Sequence, residues 1–300
     1  MAKRTVKVVK KRKWKRWVAL TFIVALLLFN ATMFLQANVV HVRRATVRLN
    51  DLPPAFEGTT ILYASDIDIG SELDCRRMIG VFESLKDLNP DVLILGGDYV
   101  SPTIFERLNQ DAISEDRAAD FFASLKDFPT SLGKFAISGD NDVSEDALKA
   151  SLSEAGIRWI EDNCIVLQKG DSAIGLVGVG TNTASLSSLV ANLNHEQCVI
   201  AVAHSPSQFV DIRVTEASNG GSWADLLLAG HTHGGQIVLF GRSVLDLNAQ
   251  EKQRIAGWYG NSLVTTGIGC ECLNLRFGTS SEVWLITLEK AGEVRMDFDD

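Results

Sequence analysis

The chain has 300 residues and a net charge of −8 at pH 7, but the charge is unevenly distributed. Of its 29 Lys and Arg residues, 11 fall within residues 1–44, where no Asp or Glu occurs. Residues 45–300 therefore carry 29 − 11 = 18 bases against 37 acids, a balance of −19. Because so acidic a domain repels phosphate backbones, we expect no nucleic-acid partner.

The N-terminus has the composition of a membrane anchor. Residues 1–16 form a basic arm, and residues 17–40 contain no charged side chain. This uncharged stretch is long enough to cross a bilayer core, which takes about 20 helical residues. The Lys and Arg bias predicts a cytoplasmic arm, a transmembrane signal-anchor at 17–40 and an extracytoplasmic domain at 45–300. A cleaved signal peptide is the alternative, although the apolar run exceeds the usual length and no clear cleavage site follows it.

The remaining residues suffice for one large α/β domain. The five cysteines are an odd number, and we expect them to be packing residues rather than a disulfide framework or a zinc site. In chain order, strands are predicted at 59–64, 91–95, 134–137, 164–167, 173–179, 199–203, 226–229, 235–240, 262–266 and 283–289. Helices are predicted at 72–88, 115–127, 144–155 with Ser144 as N-cap, and near 184–193.

Five of the apolar strands are each followed closely by an Asp or a His: Asp66, Asp98, Asp140, His204 and His231. Any one of these Asp residues could simply cap a helix or make a turn. Ligands of open α/β sheets, however, bind outside the carboxyl ends of the strands, so the shared position predicts one metal-binding site. We take the other histidines outside this pattern, His41 and His195, as incidental.

Written together, the strand ends are Asp66-Ile67-Asp68, Gly97-Asp98, Gly139-Asp140-Asn141-Asp142, His204 and Gly230-His231-Thr232-His233. This series resembles the calcineurin-like metallophosphoesterase family, whose pattern is D-x-H, G-D, G-N-H-D/E, H and G-H-x-H in the same order. The resemblance covers roughly residues 55–290, and its flanks look most like the bacterial membrane-anchored or exported branch. It implies an α/β fold, a four-layer αββα sandwich, here preceded by one N-terminal transmembrane helix.

The resemblance also implies two divalent metal ions. One would be held by Asp66, Asp68, Asp98 and His233, and the other by Asp98, Asp140, His204 and His231. Such a pair activates a water as hydroxide and clamps the attacking and leaving oxygens of a phosphoester. Mn, Fe, Zn or Mg could bind these oxygen and nitrogen ligands, and the many carboxylates favour Mn.

The chain departs from the family pattern at Asp68, Asp140 and Asn141. The first two exchange one ligand type for another. Asn141 replaces a catalytic histidine, and it can donate a hydrogen bond but cannot transfer a proton. General-acid catalysis contributes about 10²–10⁴-fold, so we expect slow turnover or a preference for good leaving groups.

The first hypothesis is a membrane-anchored phosphoesterase acting on phosphomono- or diesters, including a lipid or glycolipid headgroup or a diphosphate. The alternative is a degenerate member of the family that serves as a binding or scaffold protein. A nucleotide phosphodiesterase facing the cytoplasm is a third hypothesis, which requires the opposite topology. The stretches 101–116 and 210–224 are predicted to line the pocket. The sequence does not indicate which oligomeric state the protein has.

Overall fold

The structure, a computed structural model, describes residues 3–109, 115–142, 145–180 and 186–291. Its helices are α1 (Lys3–Asn38), α2 (Glu72–Leu85), α3 (Ile104–Asn109), α4 (Ala119–Ser124), α5 (Glu145–Glu154), α6 (Leu186–Leu189), α7 (Phe209–Val214) and α8 (Ala249–Gln253). Short 3-10 helices occupy Pro54–Phe56, Lys86–Leu88, Glu115–Ala118, Pro206–Gln208 and His233–Gly235. The predicted N-cap Ser144 lies outside the described residues.

The strands are β1 (His41–Leu49), β2 (Thr60–Ala64), β3 (Val92–Leu95), β4 (Gly133–Ala136), β5 (Arg158–Trp159), β6 (Asn163–Lys169), β7 (Ser172–Val179), β8 (Val199–Ala203), β9 (Leu226–Ala229), β10 (Val238–Leu239), β11 (Arg242–Ser243), β12 (Gly257–Tyr259), β13 (Ser262–Val264) and β14 (Glu282–Lys290). One six-stranded sheet has the order β1-β14-β2-β3-β4-β5, and the other has the order β12-β13-β9-β8-β7-β6.

The two sheets pack face to face through a core that includes Ile61, Ile94, Ile200 and Leu228. Helices α2, α4 and α5 cover the outer face of the first sheet, and α6 and α7 cover that of the second. The central strands are buried on both faces, which explains their continuous apolar sequences. The predicted four-layer αββα sandwich is therefore confirmed.

The predicted strand at 235–240 is wrong. Its first residue ends the 3-10 helix His233–Gly235, and only Val238–Leu239 is extended, paired with Arg242–Ser243 as a hairpin. The backbone cannot continue as a strand because Gly235, Gln236 and Phe240 all have positive φ.

Helix α1 is 36 residues long, and its segment Trp14–Asn38 is long and apolar enough to cross a membrane. The last turns of α1 pack against the domain, where Met33 and Ala37 are buried. The Ser281 hydroxyl donates a hydrogen bond to the Ala37 carbonyl at 2.8 Å. The chain then enters β1, which pairs in parallel with β14.

Candidate metal centre

The first group of candidate ligands follows β3, β4, β8 and β9. Ligand atoms of Asp98, Asp140, His204 and His231 all lie within 4.8 Å of one another. His204 Nε2 lies 3.2 Å from Asp98 Oδ2 and 3.0 Å from Asp140 Oδ1, and His231 Nδ1 lies 2.9 Å from the same Asp140 oxygen. The structure thus brings together all four residues that the sequence assigns to one metal.

The second group consists of Asp66, Asp98 and His233, whose ligand atoms also lie within 4.8 Å of one another. Asp98 belongs to both groups, as a bridging ligand must. The fourth predicted ligand, Asp68, is not part of either group: its Oδ2 lies 3.6 Å from His233 Nδ1, while His233 Nε2 faces Asp66 at 3.9 Å.

Each of the three histidines has an oxygen beside the ring nitrogen that points away from the ligand groups. His204 Nδ1 lies 2.8 Å from the Gly96 carbonyl oxygen. His231 Nε2 lies 3.5 Å from the buried carboxylate of Glu251. Asp68 Oδ2 is placed on the same side of His233, 3.6 Å from its Nδ1, which is beyond hydrogen-bond distance. Such partners fix the tautomer and orientation of metal-binding imidazoles.

The backbone at the site is strained in a consistent way. Five of the seven candidate ligands have positive φ, namely Asp66, Asp68, Asp98, His231 and His233. This conformation is uncommon for residues other than glycine, and such strain concentrates at functional sites. The glycines of the motifs have a separate role, because a Cβ on Gly230 would collide with the Asp66 carboxylate and one on Gly139 with that of Asp98.

The electrostatics reflect several acids in one buried place. Burial, reinforced by the charge of Asp98, raises the pKa of Asp68 well above its usual range, and burial raises that of Asp66 to about 6. Burial opposes ionisation of Asp98 as well, but the charge of His204 outweighs it and lowers the pKa of Asp98. Burial and the Arg276 guanidinium lower the pKa of His233 to about 3.

These residues fit divalent cations. Among the described residues, several buried polar atoms that face the ligand groups have no hydrogen-bond partner: Asp66 Oδ2, both carboxylate oxygens of Asp68 and, despite the carboxylates near it, His204 Nε2. Unpaired buried polar atoms are costly, and bound cations would supply the missing partners. Mixed carboxylate and imidazole ligands suit Mn, Fe, Zn or Mg.

The predicted catalytic residue Asn141 lies against the carboxylate of Asp98, the residue common to both groups. Its side-chain amide donates to Asp98 Oδ2 at 3.0 Å, and its backbone N–H donates to Asp98 Oδ1 at 2.9 Å. Asn141 also lines the cavity above the site, which has a volume of about 430 Å³. It is therefore placed to contact a substrate. Its amide can donate a hydrogen bond there but cannot transfer a proton.

The pocket predictions for the two loops differ in outcome. Arg107 of the stretch 101–116 lines the site cavity, although residues 110–114 lie outside the described part of the chain. The prediction for 210–224 is wrong, because Asn219–Ser222 and Ala224 line a different cavity. That cavity lies at the amino end of β9, and the site lies at its carboxyl end.

Sequence reasoning assigned no role to three residues that support the site. Asp142 accepts backbone hydrogen bonds from Asp98, Tyr99 and Gly139 at 2.8–2.9 Å and so holds the loops that carry the ligands. Its place in the Gly139–Asp142 motif was a usable pattern. Glu251 and Arg276 had no such pattern, since only the folded chain brings them to the histidines.

Arg276 is fully buried, and its guanidinium donates to the carbonyls of His233, Thr266 and Gly269 at 2.6–3.1 Å. We expect Arg276→Met to lower the free energy of unfolding by about 3–5 kcal/mol, because three buried carbonyls lose their donor. Arg276→Lys, which keeps the charge but not the planar fork, should fall between Arg276→Met and the wild type. Urea unfolding in detergent measures both, and a Met variant within about 1 kcal/mol of wild type would contradict the assignment.

The fold and the order of the site residues define a metallophosphoesterase. The sequence profile of the calcineurin-like phosphoesterase family matches residues 59–235, more than half of the chain, and the chain belongs to that family. An uncharacterized metallophosphoesterase of Aquifex aeolicus is 26% identical over 279 residues, covering 88% of this chain and 98% of its own. The uncharacterized metallophosphoesterase YkuE of Bacillus subtilis is 23% identical over 273 residues, covering 85% and 88%.

Proposed function

We infer that this protein is a membrane-anchored phosphoesterase that hydrolyses phosphomono- or diesters with two divalent cations, Mn being favoured. The observation that carries the inference is the pair of ligand groups sharing Asp98. Asp66, Asp98 and His233 would hold one cation and Asp98, Asp140, His204 and His231 the other. When bound, the pair supplies an activated water and neutralises charge on the phosphoryl oxygens.

The protein's own groups position the substrate and the ligands. Arg107 lines the cavity beside Glu271, with which it forms an ion pair, and its guanidinium can bind a phosphoryl oxygen at the entrance. Asn141 can donate a hydrogen bond to the ester but cannot protonate a leaving alcohol, which favours aryl phosphates and diphosphates. Glu251 and the Gly96 carbonyl hold the two histidines of the Asp140 group in one orientation.

The contacts at the end of α1 support an uncleaved anchor. The Arg276 amide donates to the Met33 carbonyl at 3.1 Å, and the Ser281 amide donates to the Gln36 carbonyl at 3.2 Å. Removal of α1 as a signal peptide would leave both groups without these partners. The basic arm favours a cytoplasmic N-terminus and a domain outside the cytoplasm.

The full chain, purified in detergent and stripped of metal, provides the test. We expect Mn to restore turnover of a bis-aryl phosphate, with Mg and Zn compared at equal free concentration and an aryl phosphate monoester as second substrate. A folded chain that binds Mn without hydrolysing either ester would overturn the inference in favour of the scaffold alternative.

A further inference from the structure

The membrane helix and the domain share an apolar contact well before the end of the helix. The rings of Phe29 in α1 and Phe277 in the domain have their centroids 5.0 Å apart. One residue earlier, the Arg276 amide donates to the Met33 carbonyl. The domain therefore reaches along α1 for at least the turns between Phe29 and Asn38.

The position of Phe29 in the apolar segment sets the depth of that contact. Lys15 and Arg16 bound the hydrocarbon core on the cytoplasmic side, because their charges stay at the interface. About 20 helical residues cross a core of about 30 Å, so a core that starts at Trp17, directly after these charges, ends near Gln36. At about 1.5 Å per residue, Phe29 then lies about 10 Å inside the far boundary.

Next to Phe277 stands the β10–β11 hairpin, whose tip is Leu239–Arg242. The Val238 amide donates to the Phe277 carbonyl at 2.8 Å, so the hairpin lies beside the part of the domain that contacts α1. Phe240 at the tip is fully exposed, and Leu239 is 41% exposed. Both loop residues, Phe240 and Gly241, have positive φ, as a type I′ turn requires.

Phenylalanine is a poor residue for that turn, for which Asn-Gly is strongly preferred. A fully exposed aromatic ring in a strained conformation gives the folded domain no packing stabilisation. A lipid leaflet would bury it, and Arg242 beside it would remain at the level of the phosphates. Membrane insertion thus explains a residue that the fold alone does not.

The hairpin also leads into the candidate site. The residues directly after β11, Val244–Leu247, line the site cavity. Val244 is four positions after Phe240, so their Cα atoms lie about 14 Å apart at most. Arg107 also lines the cavity, and its neighbours in α3, Phe105 and Leu108, are exposed. Exposed apolar side chains thus lie within a few residues of two parts of the cavity lining, Arg107 and Val244.

We propose that the hairpin tip Leu239–Arg242 inserts into the leaflet on the domain's side of the membrane and that the site takes phosphoesters of lipids in that leaflet. The bilayer itself covers the exposed side chains of the hairpin tip, because the contact between Phe29 and Phe277 holds this part of the domain at the membrane. The insertion rests on the membrane anchor, and the substrate class rests on the proposed phosphoesterase function.

The decisive variant is Phe240→Asn, which creates the preferred Asn-Gly turn and therefore keeps or raises thermal stability while removing the apolar ring. Val166→Asn is the matched control, since Val166 is an exposed valine on β6, at the opposite edge of its sheet from β12 and β13. In nanodiscs of phosphatidylcholine and phosphatidylglycerol, we compare hydrolysis of a diacylglycerol aryl phosphate with that of a soluble bis-aryl phosphate. Phe240→Asn should lower the lipid rate roughly tenfold or more and leave the soluble rate unchanged.

A second measurement does not depend on catalysis. A benzophenone side chain in place of Phe240 should crosslink to radiolabelled acyl chains at least about tenfold more than one in place of Val166. Equal crosslinking at the two positions overturns the insertion, whether or not the protein hydrolyses any ester. Hydrolysis of the soluble ester without hydrolysis of the lipid ester overturns the substrate class alone, and absence of both activities counts against the proposed function instead.

Discussion

The Asp98→Asn variant is expected to lose at least about 10³-fold in kcat/KM for a bis-aryl phosphate, equivalent to about 4 kcal/mol of transition-state stabilisation. Asp98 is the residue common to both ligand groups, so its replacement weakens both cation positions at once. Asparagine has nearly the same shape but lacks the charge, and only one of its side-chain atoms can bind a cation. The measurement is steady-state kinetics with Mn, together with metal analysis of the purified variant.

Asp225→Asn is the matched control for this change. Asp225 is a half-buried aspartate outside the site. Burial raises its pKa to about 6, and its carboxylate accepts a hydrogen bond from the Val199 amide at 2.8 Å. It lies at the amino end of β9, away from the site. Asp225→Asn should keep full activity and metal content, and an Asp98→Asn variant that also keeps both would remove the basis for a bridged pair.

Asn141→His is expected to raise the rate for an alkyl phosphodiester by about 10²–10⁴-fold, because the imidazole can protonate a poor leaving group. The gain should be much smaller for an aryl diester, whose leaving group needs little protonation. The exchange removes the 3.0 Å bond from the Asn141 amide to Asp98, while the backbone N–H at 2.9 Å stays in place. The ratio of alkyl to aryl rates is therefore the measured quantity.

Asn141→Ala separates proton transfer from hydrogen bonding, since it removes the amide without adding an acid. We expect it to lower both rates by a similar factor and so leave their ratio unchanged. If Asn141→His hydrolyses both esters at the wild-type rates, leaving-group protonation does not limit this protein. If it binds metal and hydrolyses neither, the degenerate-scaffold hypothesis becomes the better one.

The sequence predicted the parts of the fold that one strand can specify by itself. The continuous apolar runs at 199–203 and 226–229 are strands with the predicted bounds, because burial on both faces requires such a run. The short helices α7 and α8 escaped prediction, since each is only six or five residues long and depends on its neighbours. The hairpin at 238–243 was missed because Phe240-Gly241 lacks the composition of a type I′ turn.

The same division holds for the site. The residues at the strand ends and the order of the motifs were enough to select residues that meet, including Asp98 and His204. The partners of the histidine rings could not be predicted from the sequence. Glu251, for example, lies on α8, which begins 18 positions after His231, and only folding brings the two side chains together. Asp68 shows the difference most clearly, since its motif position suggests a direct ligand and its carboxylate faces the far nitrogen of His233. Its part in metal binding remains a prediction.

Arg276 connects two regions that a soluble fragment would separate. Its amide is bonded to the Met33 carbonyl of α1, and its guanidinium is bonded to the His233 carbonyl at the metal centre. Cleavage between α1 and β1 would therefore remove one hydrogen-bond partner of the residue that holds the His233 loop, while the guanidinium contact to that loop would stay. Under the proposed function, loss of α1 would then lower activity as well as release the domain from the membrane.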